Sequence, residues 1–281
     1  MKVALQLHPS RITEQMLNEQ VLPALTALGI SNERLPLKHD DQVAVAADTD
    51  FILALGGDGT FLAGARLAAR HRLPILGVMV GRVGFLCSVT LENMAQALED
   101  IAAGRMPLEE RCVLRGRVLR DGVVRHEGLA VNDIVVFRTG SEKIRDFTAR
   151  HNGRLIANYR ADGVILASAS GSTAYTLAAG GPLVHPALDL LVMTPVCAHS
   201  LFTKPLVLPP AESVVIAGRS GSYPLEVSYD GQPRMTLEEG EEVHVSSVPD
   251  ALKVYRPAEY DFYHVLRQKF QYGYLYGGSD G

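Results

Sequence analysis

No Gly-Lys dipeptide occurs anywhere in this 281-residue chain, so a Walker A loop, whose lysine must reach the phosphates, is excluded. The HRD and DFG strings of protein kinases are also missing, and no HExxH string supplies a zinc helix. Cysteine is scarce. Cys87, Cys112 and Cys197 are odd in number, far apart and never in a CxxC pair, which argues against a disulfide framework or a cysteine zinc site and fits a reducing cytoplasm. No apolar run reaches the ~18 residues of a membrane span without a polar break. The N-terminus opens directly on a strand pattern at Met1–Leu7 with no long apolar leader, so a soluble cytoplasmic protein is expected. Positive charge is short as well: 27 Lys and Arg against 31 Asp and Glu give −4. That balance supplies neither a basic face for nucleic acid nor a basic amphipathic segment for a bilayer.

What is present is a hydrophobic fraction of 47% over a length sufficient for two domains. Segments 3–7, 13–28, 51–55, 61–70, 75–80 and 91–103 alternate between strand-like and helix-like patterns, which predicts an α/β layer on a parallel sheet. Beyond residue 105 the texture changes to short β-branched runs at 112–119, 123–126, 133–137, 206–208, 214–217, 226–229 and 242–246, the pattern of an antiparallel sandwich. The expected division is an α/β domain over 1–104 and a β-rich domain over 105–260. A helix over 261–272, with Phe262, Leu266 and Phe270 four apart, is expected to pack back on the first domain, and the glycine-rich tail 273–281 is expected to be disordered.

The densest chemistry lies at Gly56-Gly57-Asp58-Gly59-Thr60, directly after the apolar run Phe51-Ile52-Leu53-Ala54-Leu55. Three glycines clear side chains from the backbone, and successive N–H groups in such a turn form an anion nest. A carboxylate among phosphate donors makes sense where it holds a cation or takes a proton from an attacking hydroxyl, as phosphoryl transfer to an alcohol requires. The pentapeptide alone reads equally well as a strand followed by a tight turn. A second segment runs from Ser168 through Gly171-Ser172-Thr173-Ala174-Tyr175 to Gly180-Gly181-Pro182. Its hydroxyls are expected to cap a short helix around residues 173–179, ended by Gly180, with Tyr175 as an aromatic wall for a polar ligand. Asn132-Asp133 precedes an apolar strand, and Tyr229-Asp230-Gly231-Gln232 looks like a hairpin turn.

Taken in order, GGDGT, the 77–86 segment, Asn132-Asp133, Asp162-Gly163, GSTAY at 171–175, Gly180-Gly181-Pro182 and Asp230-Gly231-Gln232 resemble the NAD kinase family over nearly the whole chain. That resemblance implies an NAD kinase/diacylglycerol kinase-like fold and phosphorylation of the 2′-hydroxyl of the adenosine ribose of NAD to give NADP. ATP or polyphosphate would be the donor, with Mg²⁺ bound chiefly through the donor's phosphates. It further implies a homodimer or homotetramer. Asp58 would be the general base within a phosphate loop of Gly56, Gly57, Gly59 and Thr60, with Gly59 also at the NAD site. Asn132 would meet an adenine edge and Asp133 the ribose hydroxyls, while Phe85, Ser170, Thr173 and Ala174 complete the adenosine pocket. Asp162, Tyr175, Thr176, Leu177 and Ala178 would face the other half of the dinucleotide, and Lys143, Arg160 and Gln232 are further NAD contacts. No residue is assigned as a protein metal ligand. The chain departs from the family's usual Asn at Met79, Glu at Asp133, Thr-Pro-Thr at Ser168-Ala169-Ser170 and Pro at Ala198. A lipid kinase and an NAD-binding sensor without catalysis are the rival readings, and NADP formation would separate them.

Overall fold

The structure is a computed structural model describing residues 1–36, 43–81, 84–140, 144–200, 202–210 and 213–272. The expected contact at Lys143 and the expected disordered tail at 273–281 lie outside the described residues. The chain separates into two compact units, one of residues 1–109 with residue 253 onward and one of residues 110–252.

In the first unit, β1 (Lys2–Leu7), β2 (Ser31–Arg34), β3 (Phe51–Gly56), β4 (Pro74–Met79) and β5 (Val89–Thr90) form a parallel sheet ordered β5-β4-β3-β1-β2. Every residue of β3 is buried, as expected of a central parallel strand covered on both faces. The covering helices are α1 (Glu14–Met16), which runs through a π-helical turn at Leu17–Val21 into α2 (Leu22–Ala27), then α3 (Asp58–His71) and α4 (Met94–Ala102). On α4 the buried residues Met94, Ala97, Leu98 and Ile101 make a single 3–4 stripe against the sheet core. The C-terminal helix (Phe262–Phe270) is capped by Asp261, whose carboxylate accepts from the Tyr263 N–H at 2.8 Å, and belongs to this unit.

The second unit contains β6 (Leu108–Arg120), β7 (Val123–Ala130), β8 (Asp133–Arg138), β9 (Arg145–His151), β10 (Arg154–Ala161) and β11 (Gly163–Ala167). After a 3-10 turn (Ser170–Thr173) and α5 (Tyr175–Ala178) come β12 (Leu191–Val196), β13 (Leu206–Leu208), β14 (Val214–Gly218), β15 (Leu225–Tyr229), β16 (Gln232–Leu237) and β17 (Glu241–Tyr255). One sheet is ordered β13-β12-β11-β8-β15-β16 with antiparallel pairs throughout; the other includes the antiparallel run β10-β9-β14-β17. Alternate residues such as Ile134, Val136, Val164, Leu166, Phe147, Ala149, Val243 and Val245 meet in one core between the sheets, the period-2 signature of a sandwich. The opposite face of β8, β11 and β12 is covered in part by Ala169 and Val184, which bury Val135, Ile165 and Val192.

The expected hydroxyl cap near residue 173 is corrected. Ala174 stands at the start of α5 with φ −101° and ψ −131°, and no side chain caps that helix. The serines are used elsewhere: Ser168 Oγ donates to the Val131 carbonyl at 2.5 Å, and Ser172 Oγ bonds both the carbonyl and the N–H of Val184 at 3.1 Å. They fasten the segment to the β7–β8 turn and to the loop that precedes β12 rather than to its own helix.

Candidate active site

In the first unit, β3 ends at Gly56 and Asp58 opens α3, so the carboxylate sits in the first turn, where the helix dipole favours negative charge. Asp58 Oδ1 is buried with no hydrogen-bond partner. Gly84 lies directly against it, since a Cβ built there would stand 2.8 Å from Oδ2 and 2.9 Å from Cγ. A buried orphan acceptor costs stability unless something fills it, which makes this oxygen a place for a proton or a cation. Thr60 is buried, and Gly59 is exposed. The segment after β1 crosses the loop: a Cβ at Gly57 would lie 2.9 Å from Arg11 Nη1 and 3.8 Å from Met79 Sδ. An exposed guanidinium therefore accompanies the glycine loop, a charge suited to bidentate phosphate contact. Met79, buried at 6% exposure, pairs with Gly56 across the sheet and packs beneath the loop.

Phe85 is partly buried, with Phe270 stacked on its ring at 5.4 Å and Phe262 tilted at 6.0 Å. Its carbonyl accepts from Tyr260 and Arg256. The C-terminal helix thus packs on the segment that presents Gly84. Burial, and then the charge of Asp58, hold the Cys87 thiol well above its usual range. All three cysteines are free.

In the second unit a cavity of about 720 Å³ is lined by Asn132, Asp133, Asp162, Ala174, Tyr175 and Asp230, with Val135, Phe137 and Val196 supplying apolar wall. Asn132 and Asp133 stand where β7 passes into β8. The Asn132 carbonyl accepts from the Ser168 N–H at 2.9 Å, while its side-chain Oδ1 is buried and unpartnered. Asp133 is only 5% exposed. Burial and then the neighbouring Asp230 charge push its carboxyl up to about 7, against the opposing effect of the Tyr175 N–H that it accepts. Tyr175 is half exposed at the rim, and Asp162 is paired with Arg138 at 2.6 Å.

Other expected contacts lie outside this lining. Ser170 is buried, accepting from Arg111 Nη1 at 3.3 Å, and Thr173 Oγ1 donates back to the Ser170 carbonyl. The Thr176 side chain is fully buried, and Leu177 and Ala178 complete α5 without lining the cavity. Arg160 is exposed and paired with Asp146 at 3.7 Å; Gln232 opens β16 opposite Tyr229. Arg11, Gly84 and Asp230 were not expected as parts of either site. Asp230 and Gly84 were legible as members of motif segments with no role of their own, whereas Arg11 carried no local signal.

The N-terminal domain model of the ATP-NAD kinases matches residues 6–106, and the C-terminal domain model of the same family matches residues 131–257. The chain belongs to the ATP-NAD kinase family. Among NAD kinase relatives, that of Koribacter versatilis is 40% identical over 81% of this chain and 80% of its own, and that of Heliobacterium modesticaldum is 41% identical over 80% and 79%. The structure of an Archaeoglobus fulgidus NAD kinase in complex with ATP superposes with a TM-score of 0.72 at 25% identity, covering 92% of this chain and 95% of that one. The yeast NADH kinase complexed with NADH shares the fold, with a TM-score of 0.82 at 24% identity over 97% and 88%. Within this NAD kinase chain no described helix is long and apolar enough to cross a membrane.

Proposed function

We propose that the protein transfers the terminal phosphoryl group of ATP to the 2′-hydroxyl of the adenosine ribose of NAD, with the cavity of the second unit holding the adenosine. The observation that carries the assignment is the pairing of Asn132 Oδ1, buried and unpartnered, with the Asp133 carboxylate in one cavity. An adenine amino group supplies a donor for the first, and ribose hydroxyls supply donors for the second, which as a carboxylate has acceptor capacity to spare. Tyr175 and Phe137 offer flat apolar surface to the base.

Asp58 takes the 2′-hydroxyl proton as the ribose oxygen attacks the terminal phosphorus. The bond from that phosphorus to the bridging oxygen breaks, and ADP leaves. The glycine loop and Arg11 bind the donor's phosphates, an arrangement supported by the guanidinium lying against Gly57. The described residues hold no cluster of three or more His, Cys, Asp or Glu suited to a metal. One orphaned carboxylate oxygen beside a phosphate loop fits a Mg²⁺ ion that would be held mainly by the donor's phosphates, with Asp58 as the residue that would contribute a protein oxygen. When bound, such an ion neutralises charge on the transferring group.

The test is incubation of purified protein with NAD, Mg²⁺ and ATP, followed by detection of NADP with an NADP-specific dehydrogenase. A parallel arm replaces ATP with polyphosphate. NADP formation with either donor supports the assignment; a protein that binds NAD but forms no NADP with either would leave only a sensor, and the assignment would fall.

A further inference from the structure

Asp133 looks at first like the residue that makes the β7–β8 turn, but the turn is held from elsewhere. The β15–β16 hairpin closes through Asp230 and Gly231, which have φ of +49° and +68°, the consecutive left-handed pair of a two-residue turn. That geometry carries the Asp230 carboxylate onto three successive backbone N–H groups. Oδ2 accepts from Val131 at 3.0 Å, and Oδ1 accepts from Asn132 at 2.7 Å and Asp133 at 3.2 Å. Asp230 also donates its own N–H to the Asp133 carbonyl at 2.9 Å. Four hydrogen bonds thus tie one hairpin tip to the backbone bearing the Asn132 amide and the Asp133 carboxylate, which remain directed to the cavity that Asp230 and Gly231 themselves line.

We propose that Asp230 is a positioning residue for dinucleotide binding, fixing Asn132 and Asp133 in register and placing its negative charge beside Asp133. The proposal rests on the reading of this cavity as the adenosine site. Burial already disfavours charge on Asp133, and a second carboxylate beside it adds to that effect, so Asp230 shifts the pH range over which NAD binding changes. The other titratable groups lining the cavity are Asp162, which is paired with Arg138, Tyr175 and Cys197. Asp230 alone among them bonds the Asp133 backbone.

The experiment compares wild type with Asp230→Asn, a substitution close in size and tolerant of the positive φ. NAD affinity is measured by calorimetry from pH 5.5 to 8.5, with KM, kcat and melting temperature beside it. The variant keeps at most part of the three-way acceptor and loses the charge. Its KM for NAD at pH 8 should rise about tenfold, the scale of a lost charge-assisted hydrogen bond, with kcat within about threefold. The midpoint of the affinity-against-pH curve should move to lower pH than in wild type. A variant that melts earlier yet keeps both the wild-type NAD affinity and the wild-type midpoint would show a turn residue only and overturn the proposal. Should the variant not fold, the wild-type amide protons of Val131, Asn132 and Asp133, all bonded to Asp230, provide the measurement: their NMR signals should shift together when NAD is added, and independent behaviour would overturn the proposal. Failure of wild type to bind NAD at any pH would instead remove the adenosine-site reading, and the proposal with it.

Discussion

Replacing Gly84 with alanine isolates the position of the Asp58 carboxylate without touching its chemistry. Gly84 does not occupy the left-handed region, so alanine is allowed by the backbone, and the added methyl meets chiefly one side chain. That side chain is Asp58, at 2.8 Å for Oδ2 and 2.9 Å for Cγ, well inside van der Waals contact. To relieve the overlap the carboxylate must retreat by roughly half to one ångström, a displacement that costs a reacting group about 10²-fold in rate. We therefore expect kcat to fall about 100-fold, or about 2.7 kcal/mol of barrier, in the coupled NADP assay. The KM for NAD should stay within about threefold, because the contacts assigned to adenosine are untouched. Adding Gly84→Ala to Asp58→Asn should cost little more than Asp58→Asn alone, since both act through one side chain. A Gly84→Ala enzyme with kcat within about threefold of wild type would refute the claim that this contact locates a catalytic carboxylate.

Arg11→Ala should raise the KM for ATP about tenfold or more while leaving that for NAD unchanged, and Arg11→Lys should recover only part of the loss, because an ammonium cannot make the forked contact. Equal KM values for ATP in wild type and Arg11→Ala would place the guanidinium outside the donor site. Asp133 should make NAD affinity fall as pH drops below about 7, since the proton it holds there must leave before hydroxyls can be accepted. The stability of the free protein should move oppositely: a carboxyl whose folded pKa exceeds its unfolded value of 3.8 binds more protons when folded, so its contribution is present at low pH and is lost as pH rises toward 7. Asp133→Asn should flatten both profiles; affinity that keeps its wild-type slope in that variant would assign the titration to another group.

The two fold classes were legible because their periodicities differ. The unbroken apolar run Phe51–Leu55 announced a buried parallel strand, and α4 displayed its stripe at Met94, Ala97, Leu98 and Ile101. β2 was not legible: its residues Ser31, Asn32, Glu33 and Arg34 are polar and become a strand only by pairing with β1 at the sheet edge. β9 and β10 escaped notice for a related reason, since Arg145, Asp146, Arg154 and Arg160 mask the alternating buried positions Phe147, Ala149, Tyr159 and Ala161. At the site, Asn132, Asp133 and Tyr175 stood out as motif residues, and one cavity brings them together. Asp230 bonds residues 97 to 99 positions away in the chain, and Gly84 meets Asp58 only through tertiary packing. Local spacing carries no record of such contacts. The serine-rich segment misled because Ser and Thr favour helix caps in isolation, whereas tertiary contacts with Val131 and Val184 took those hydroxyls first.

Single-turnover NADP formation by Asp58→Asn under saturating ATP and NAD shows whether Asp58 removes the proton from the attacking 2′-hydroxyl. Asparagine preserves size and polarity but cannot accept the proton. The rate of the chemical step should fall by ~10²–10⁴, the range for removal of a general base, while NAD binding measured without ATP stays within about threefold of wild type. A variant that forms NADP at a rate within about threefold of wild type would contradict the account, because the loss would then fall far below that range.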